Sequence, residues 1–140
     1  MGFLTDIIAA SPADGAAIDP GSWRDTEHDL EVLECCGFEP TMTLGVLEQV
    51  LVGTPLDDAI RAPIHLSTDG TCWISTMRSS LQDALAEGRD DWLPVAVACV
   101  ATGDLGDALP ADLAAFLDEL SRFVRASKAQ GLRVCVWGSL

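Results

Sequence analysis

The dipeptide Asp69-Gly70 lies between two runs of β-forming residues and most constrains what this chain can fold into. Asp-Gly is a preferred pair in tight hairpins, because both central positions of a type I′ turn need positive φ. We therefore predict a hairpin of strands Pro63–Thr68 and Thr71–Met77, which makes this part of the sheet antiparallel. The turn predicts these cross-strand pairs: Leu66 with Trp73, Ile64 with Ser75, His65 with Ile74, and Ser67 with Cys72.

Hydrophobic periodicity predicts further elements on both sides of the hairpin. Strands are expected over Gly2–Ala10, Asp25–Cys36 and Leu132–Trp137. Helices are expected after a Ser11 cap, from Pro40 to Val52, over Thr54–Ala62 and Ser80–Gly88, and from Pro110 to Gly131, whereas residues 92–102 fit a helix or a strand. The pattern indicates the α+β class, with one mostly antiparallel sheet of four or five strands packed by four or five helices. A doubly wound fold would need a glycine-rich first turn, which this sequence lacks.

Composition limits both the architecture and the class of partner. The 140 residues, 49% of them hydrophobic, suffice for one globular domain over residues 1–140 and argue against disorder. The net charge of −14 opposes binding to nucleic acid or an anionic membrane. The longest apolar stretch near the start, Ile7–Ala10, is too short for a signal peptide or membrane span, so we expect a cytoplasmic protein. Five cysteines without CxxC spacing indicate reduced thiols.

The negative charge is concentrated in the N-terminal part of the chain. Residues 1–60 hold twelve acidic residues and one base, Arg24, for a net −11, whereas residues 61–140 hold ten acids and seven bases, for −3. On the predicted second strand, alternation would place four carboxylates on one face: Asp25, Glu27, Asp29 and Glu31. Such a face either attracts a cationic partner or is simply solvated. It does not fit an EF-hand, because Leu30 and Cys36 occupy the positions of the glycine and the bidentate glutamate.

Three side chains are candidates for catalysis. Asp6 shares a predicted strand face with apolar residues and is a candidate general acid or base. His65 and Cys72 are diagonal neighbours on the predicted hairpin and are candidates for a nucleophile pair. Arg133 is a candidate pocket residue on the last strand. Packing roles compete with each of these assignments, and no zinc, nucleotide or hydrolase motif is present, so we expect no metal and no cofactor.

The ends and the middle of the chain carry a family resemblance. The segments MGFLTDIIAASP, GFEPTMTLGVLEQVLVG and LAAFLDELSRFVRASKAQGLRVCVWGSL resemble a loose set of small bacterial proteins of unknown function. Those proteins begin with MGF and end in a short strand with a tryptophan. The resemblance implies a bacterial cytosolic protein and brings no catalytic residue with it.

Three functional hypotheses follow from the sequence. The first is a non-enzymatic acidic interaction module that docks on a basic protein, as an immunity protein or inhibitor does, through Asp25, Glu27, Asp29 and Glu31. The second is a small-molecule-binding or hydrolytic domain with a pocket near Asp6, His65, Cys72 and Arg133. The third is a homodimer formed through an exposed strand edge.

Overall fold

A computed structural model describes residues 4–36, 39–59 and 65–140 of the chain. Its strands are β1 (Leu4–Ala10), β2 (Glu31–Cys36), β3 (His65–Leu66), β4 (Cys72–Thr76) and β5 (Arg133–Ser139). Its helices are α1 (Pro12–Ala16), α2 (Pro40–Val52), α3 (Leu56–Ala59), α4 (Ser79–Ala86), α5 (Leu93–Ala101) and α6 (Pro110–Ala129). The strands form one antiparallel sheet in the order β2-β1-β5-β4-β3. The predicted α+β class is confirmed.

The described residues divide into two compact units. The first contains the sheet, α1 and the segment that leads from α1 to β2. The second contains α3, α4, α5 and nearly all of α2 and α6. The single domain expected from the length of the chain stays a prediction.

In the first unit, one face of the sheet is covered by residues 11–30. The helix α1 starts as predicted, because the Ser11 hydroxyl accepts a hydrogen bond from the Asp14 amide at 3.1 Å and a proline follows it. The chain then returns across the sheet and buries the Trp23 indole. The buried cluster on this face consists of Ile8, Ala10, Trp23, Ile74, Cys135 and Trp137. The segment that carries Trp23 is therefore fixed to the sheet through the hydrophobic effect.

On the other face of the sheet, Trp73 lies over the backbone of Gly138. The two residues are cross-strand partners between β4 and β5. An ideal Cβ at Gly138 would come within 2.4 Å of the indole atom Cζ2 of Trp73. Glycine at position 138 thus lets the Trp73 ring approach the backbone of β5 closely. The buried ring occupies the space that a side chain at position 138 would need.

The second strand is shorter than the sequence predicts. We expected it over Asp25–Cys36, but it begins at Glu31, and Trp23–Asp25 instead form a 3₁₀ turn. The amide of Asp25 and the hydroxyl of Thr26 both donate to the carbonyl of Ser22, at 3.0 and 2.8 Å. The local alternation of polar and apolar residues favours a strand here. Burial of Trp23 and the hydrogen bonds of the turn outweigh this preference.

The hairpin has the predicted register but a different turn. His65 pairs with Ile74 and Leu66 with Trp73, as predicted. The predicted pairing of Ile64 lies outside the described residues. The turn is not type I′, because Gly70 has φ +74° whereas Asp69 does not adopt positive φ. Its carboxylate instead accepts hydrogen bonds from the hydroxyl of Ser67 and from the amide and hydroxyl of Thr71, at 2.7, 3.1 and 2.8 Å.

These hydrogen bonds make the turn sensitive to acid. Donation by the Ser67 hydroxyl first, and then by Thr71, lowers the pKa of Asp69 from 3.8 to about 2. Because the pKa of Asp69 is lower in the folded protein than in the unfolded chain, the ionised carboxylate stabilises the hairpin at pH values above 3.8. This contribution is lost as the pH falls through about 2. We expect the Asp69 carboxyl to titrate near pH 2 by NMR and to move toward 3.8 in Ser67→Ala. An Asp69 pKa equal to that of the other exposed aspartates would contradict this prediction.

The second unit consists of helices with buried apolar side chains. Residues 92–102, which the sequence left open, contain the helix α5, whose side chains Val95, Ala96 and Cys99 are buried. The helix α4 begins at Ser79, one residue before the predicted start at Ser80, and its N-cap residue Arg78 makes no side-chain capping hydrogen bond. The predicted long helix is confirmed as α6, whose apolar stripe is buried at Leu113, Leu117, Leu120 and Val124. The Ser121 hydroxyl joins α6 to α4 by donating to the Leu85 carbonyl at 2.7 Å.

The two helices predicted between the second strand and the hairpin are both present. The expected helix Thr54–Ala62 is present as α3 over Leu56–Ala59, and positions 60–62 lie outside the described residues. The helix α2 ends at Val52 as predicted, and Gly53 follows it with φ +87°.

Candidate functional site

The buried strand residue Asp6 is the centre of a polar cluster. It is only 3% exposed, and both of its carboxylate oxygens accept hydrogen bonds. The Trp23 indole Nε1 donates to Oδ2 at 2.8 Å. The Arg24 guanidinium donates to both oxygens, from Nη2 to Oδ1 at 2.8 Å and from Nε to Oδ2 at 3.3 Å. Two neighbouring residues of the 3₁₀ turn are thereby bound to the middle of the sheet.

Arg24 also contacts an aromatic ring. Its guanidinium carbon lies 5.1 Å from the centre of the Trp137 ring, within the range of a cation–π interaction. The Trp137 indole nitrogen in turn donates to the Pro20 carbonyl at 2.8 Å. The polar cluster, defined as Asp6, Trp23, Arg24 and Trp137, therefore fixes the segment on both sides of the turn.

A pocket opens beside this cluster. Its volume is about 410 Å³, and its walls come from α1 and from the chain between α1 and β2. The lining residues that matter for its chemistry are Asp14, Ala17, Ile18, Asp19, Trp23, His28, Asp29 and Leu30. The rings of Trp23 and His28 are stacked, with centroids 3.9 Å apart and an angle of 12° between their planes. The pocket thus combines an aromatic wall and aliphatic side chains with carboxylates.

The pocket carries negative charge without a matching cation. Asp14, Asp19 and Asp29 are all exposed, and within the described parts of the chain none of them forms an ion pair. Asp19 is held in place by donation from the Gly21 amide at 3.1 Å and the Ser22 hydroxyl at 2.9 Å. The sole base among residues 1–60, Arg24, is already paired with Asp6. The pocket is therefore electrostatically suited to a cation.

The four predicted docking carboxylates are exposed but do not form a ladder. Asp25 lies in the 3₁₀ turn, Glu27 and Asp29 lie in the irregular segment that follows, and Glu31 starts β2. Asp29 alone among them lines the pocket. The expected spacing along one strand face was wrong, because that strand begins six residues later, whereas their role in binding a partner stays a prediction.

The small-molecule pocket of the second hypothesis was expected near Asp6, His65, Cys72 and Arg133. These residues share one face of the sheet but do not converge. Asp6 pairs with Trp137, which pairs with Ile74, and this residue pairs with His65. Three strand spacings, about 14 Å, thus separate Asp6 from His65. Arg133 is exposed and pairs with Ala10, about 13 Å along the strands from the row of Asp6.

Cys72 and His65 are diagonal neighbours, as the register predicted. The Cys72 thiol faces the hydroxyl of Ser139 at 3.6 Å, and His65 is exposed. In the described residues, no third group orients the imidazole toward the thiol. Catalytic roles for Asp6, His65 and Cys72 stay predictions, and for Asp6 both oxygens already serve Trp23 and Arg24.

Four cysteines are free thiols: Cys35, Cys72, Cys99 and Cys135. Two of them are in environments that disfavour the thiolate. Burial raises the pKa of Cys99 to about 11 and also raises the pKa of Cys135. In the described ranges, no group of three or more His, Cys, Asp or Glu side chains is arranged to hold a metal ion.

Comparisons with protein-family models, with curated proteins and with solved structures found no match to this chain. Of the helices in residues 4–36, 39–59 and 65–140, none has the length and apolar character needed to cross a membrane.

Sequence reasoning identified Asp6 and missed its partners. The sequence did contain a signal, since Arg24 is the lone base of an acidic segment and Asp6 is a carboxylate on an apolar strand. A buried carboxylate requires a donor or a cation, and Arg24 was the one cation within sixty residues. The pocket had no such signal, because its walls are set by the path of the chain after α1.

Proposed function

We propose that this chain is a non-enzymatic binding module that docks on a basic protein, in the manner of an immunity protein or inhibitor. The docking surface is the acidic surface, defined as Asp14, Asp19, Asp25, Glu27, Asp29 and Glu31. The observation that carries the proposal is that these six carboxylates are exposed while Arg24, the one base among them, is bound to Asp6. Their charge is thus not neutralised within this segment.

Such a surface acts mainly on the rate and specificity of association. Uncompensated charge of one sign accelerates encounter with an oppositely charged protein, and salt weakens this effect. The polar cluster holds the segment in place before binding, so little conformational entropy is lost on docking. The cytoplasmic location expected from the sequence and the homodimer that was its third hypothesis stay predictions, and the proposal depends on neither.

The proposal is tested by capture of a partner followed by measurement with purified proteins. Immobilised wild type is exposed to a lysate of the source cell at about 50 mM salt, and the captured protein is identified, purified and titrated. We expect a basic protein whose affinity falls at least about tenfold at 300 mM salt, because the Debye length shortens. The combined variant Asp25→Asn, Glu27→Gln, Asp29→Asn and Glu31→Gln should lose about tenfold or more at low salt.

A matched control changes the same charge elsewhere. The combined variant Asp90→Asn, Asp104→Asn, Asp107→Asn and Glu119→Gln also removes four negative charges, and all four side chains are exposed. We expect it to bind the partner nearly as wild type does. Equal loss in both variants would mean that overall charge, and not the acidic surface, attracts the partner. A captured partner that is acidic or insensitive to salt would overturn the proposal.

A further inference from the structure

We infer that the pocket beside the polar cluster receives an arginine side chain of the basic partner. This inference rests on the proposed function and names the contact at its centre. The pocket is a cavity of about 410 Å³ within the acidic surface, with three carboxylates, an aromatic wall and aliphatic side chains. Pockets of this size accept a whole side chain or small ligand.

The walls of the pocket match the two parts of an arginine side chain. Ala17, Ile18 and Leu30 offer apolar surface against which the methylene stem can pack. Asp14, Asp19 and Asp29 supply carboxylates for the charged end. A purely apolar ligand would leave these charges in a desolvated site, and an anionic ligand would be repelled.

The aromatic wall favours a guanidinium over an ammonium. The His28 ring lies flat on Trp23, and Trp23 is itself fixed by its hydrogen bond to Asp6. A planar guanidinium can stack on such a wall while it donates to a carboxylate, whereas an ammonium cannot stack. The fold already shows this combination, since Arg24 lies over the Trp137 ring and pairs with Asp6.

The test uses defined peptides and the full chain. A short peptide of alternating glycine and arginine is titrated into labelled protein at low salt, and backbone amide shifts are recorded by NMR. Parallel titrations use the same peptide with citrulline, which is isosteric and neutral, or with lysine. We expect the arginine peptide to shift Ile18, Ser22 and His28 and to bind about tenfold more tightly than the citrulline peptide, and more tightly than the lysine peptide.

Two variants of equal charge locate the contact. Ala17→Phe places a ring in the pocket, whereas Ala13→Phe makes the same change on α1 at an exposed residue that does not line it. We expect Ala17→Phe to weaken the arginine peptide about tenfold and Ala13→Phe to bind as wild type does. Thermal unfolding of both variants checks that each is folded.

The outcomes separate this inference from the proposed function. If the arginine peptide binds with shifts outside the pocket and Ala17→Phe has no effect, the pocket inference is wrong while docking of a basic protein stands. Equal binding of citrulline or lysine peptides would overturn the assignment of arginine. No binding by any peptide would also overturn it, and the capture experiment would then decide the proposed function separately.

Discussion

The substitution Gly138→Ala should destabilise the protein by about 3 kcal/mol and lower its melting temperature by about 10 °C. The new Cβ would lie 2.4 Å from Cζ2 and 2.5 Å from Cε2 of Trp73. Neither atom belongs to a flexible chain end, because both are in a rigid indole that is only 9% exposed. The strand β5 cannot retreat easily either, since it is paired on both sides, with β1 and with β4.

Chemical denaturation with matched variants tests this expectation. Gly21→Ala is the control, because its Cβ would meet Ser67 at an ordinary 3.4 Å. Shortening the partner ring should restore room, so Trp73→Leu should cost less in the Gly138→Ala background than in wild type. This non-additivity is the signature of a direct clash. If Gly138→Ala is as stable as the Gly21→Ala control, Trp73 does not lie over Gly138 as described.

Local signals in the sequence were sufficient where neighbouring residues decide the structure. The Ser11 cap, the hairpin register and the long helix α6 all depend on residues close together in the chain, and each is present as predicted. The turn between the hairpin strands is not the predicted type I′. The Asp69 side chain accepts three hydrogen bonds there, which the backbone preference of an Asp-Gly pair does not predict.

Long-range contacts explain what the sequence could not predict. The second strand was expected to begin at Asp25, but the chain forms a 3₁₀ turn there. The Trp23 indole in this turn donates to the carboxylate of Asp6, seventeen residues earlier in the chain. Alternation of charged and apolar residues is a local property, and it cannot reveal that one buried ring fixes a turn. The pocket depends on the same contact, because Trp23 and His28 form its aromatic wall.

The substitution Arg24→Met should destabilise the protein by about 2 kcal/mol, because it leaves the buried Asp6 carboxylate without its ion-pair partner. The variant removes the guanidinium but retains a flexible apolar side chain over the Trp137 ring. The Asp6 side chain, 5% exposed, would keep the Trp23 indole as its single remaining donor from the turn. We place the expected loss below the range typical of fully buried pairs, because the Arg24 side chain is 40% exposed and partly solvated.

A second variant separates the lost pairing from the unpaired charge. Asp6→Asn is neutral and still offers an oxygen to the Trp23 indole, so the double variant Asp6→Asn with Arg24→Met leaves no buried charge. We expect the double variant to be more stable than Arg24→Met alone, within about 1 kcal/mol of wild type. Denaturant unfolding of all four proteins measures this coupling. Equal stability of Arg24→Met and wild type would show that the ion pair does not anchor the turn.

The same variants connect the fold to the proposed binding site. If the ion pair holds Trp23 and its neighbours in place, Arg24→Met should weaken the arginine peptide although Arg24 does not line the pocket. Arg24→Lys keeps the charge but loses the two-point contact with Asp6, so it should fall between wild type and Arg24→Met. Removing a base makes the protein more negative, and charge alone would therefore strengthen binding of a cationic peptide. Weaker binding by Arg24→Met thus has the opposite sign to the charge effect and can be attributed to loss of the anchored pocket wall.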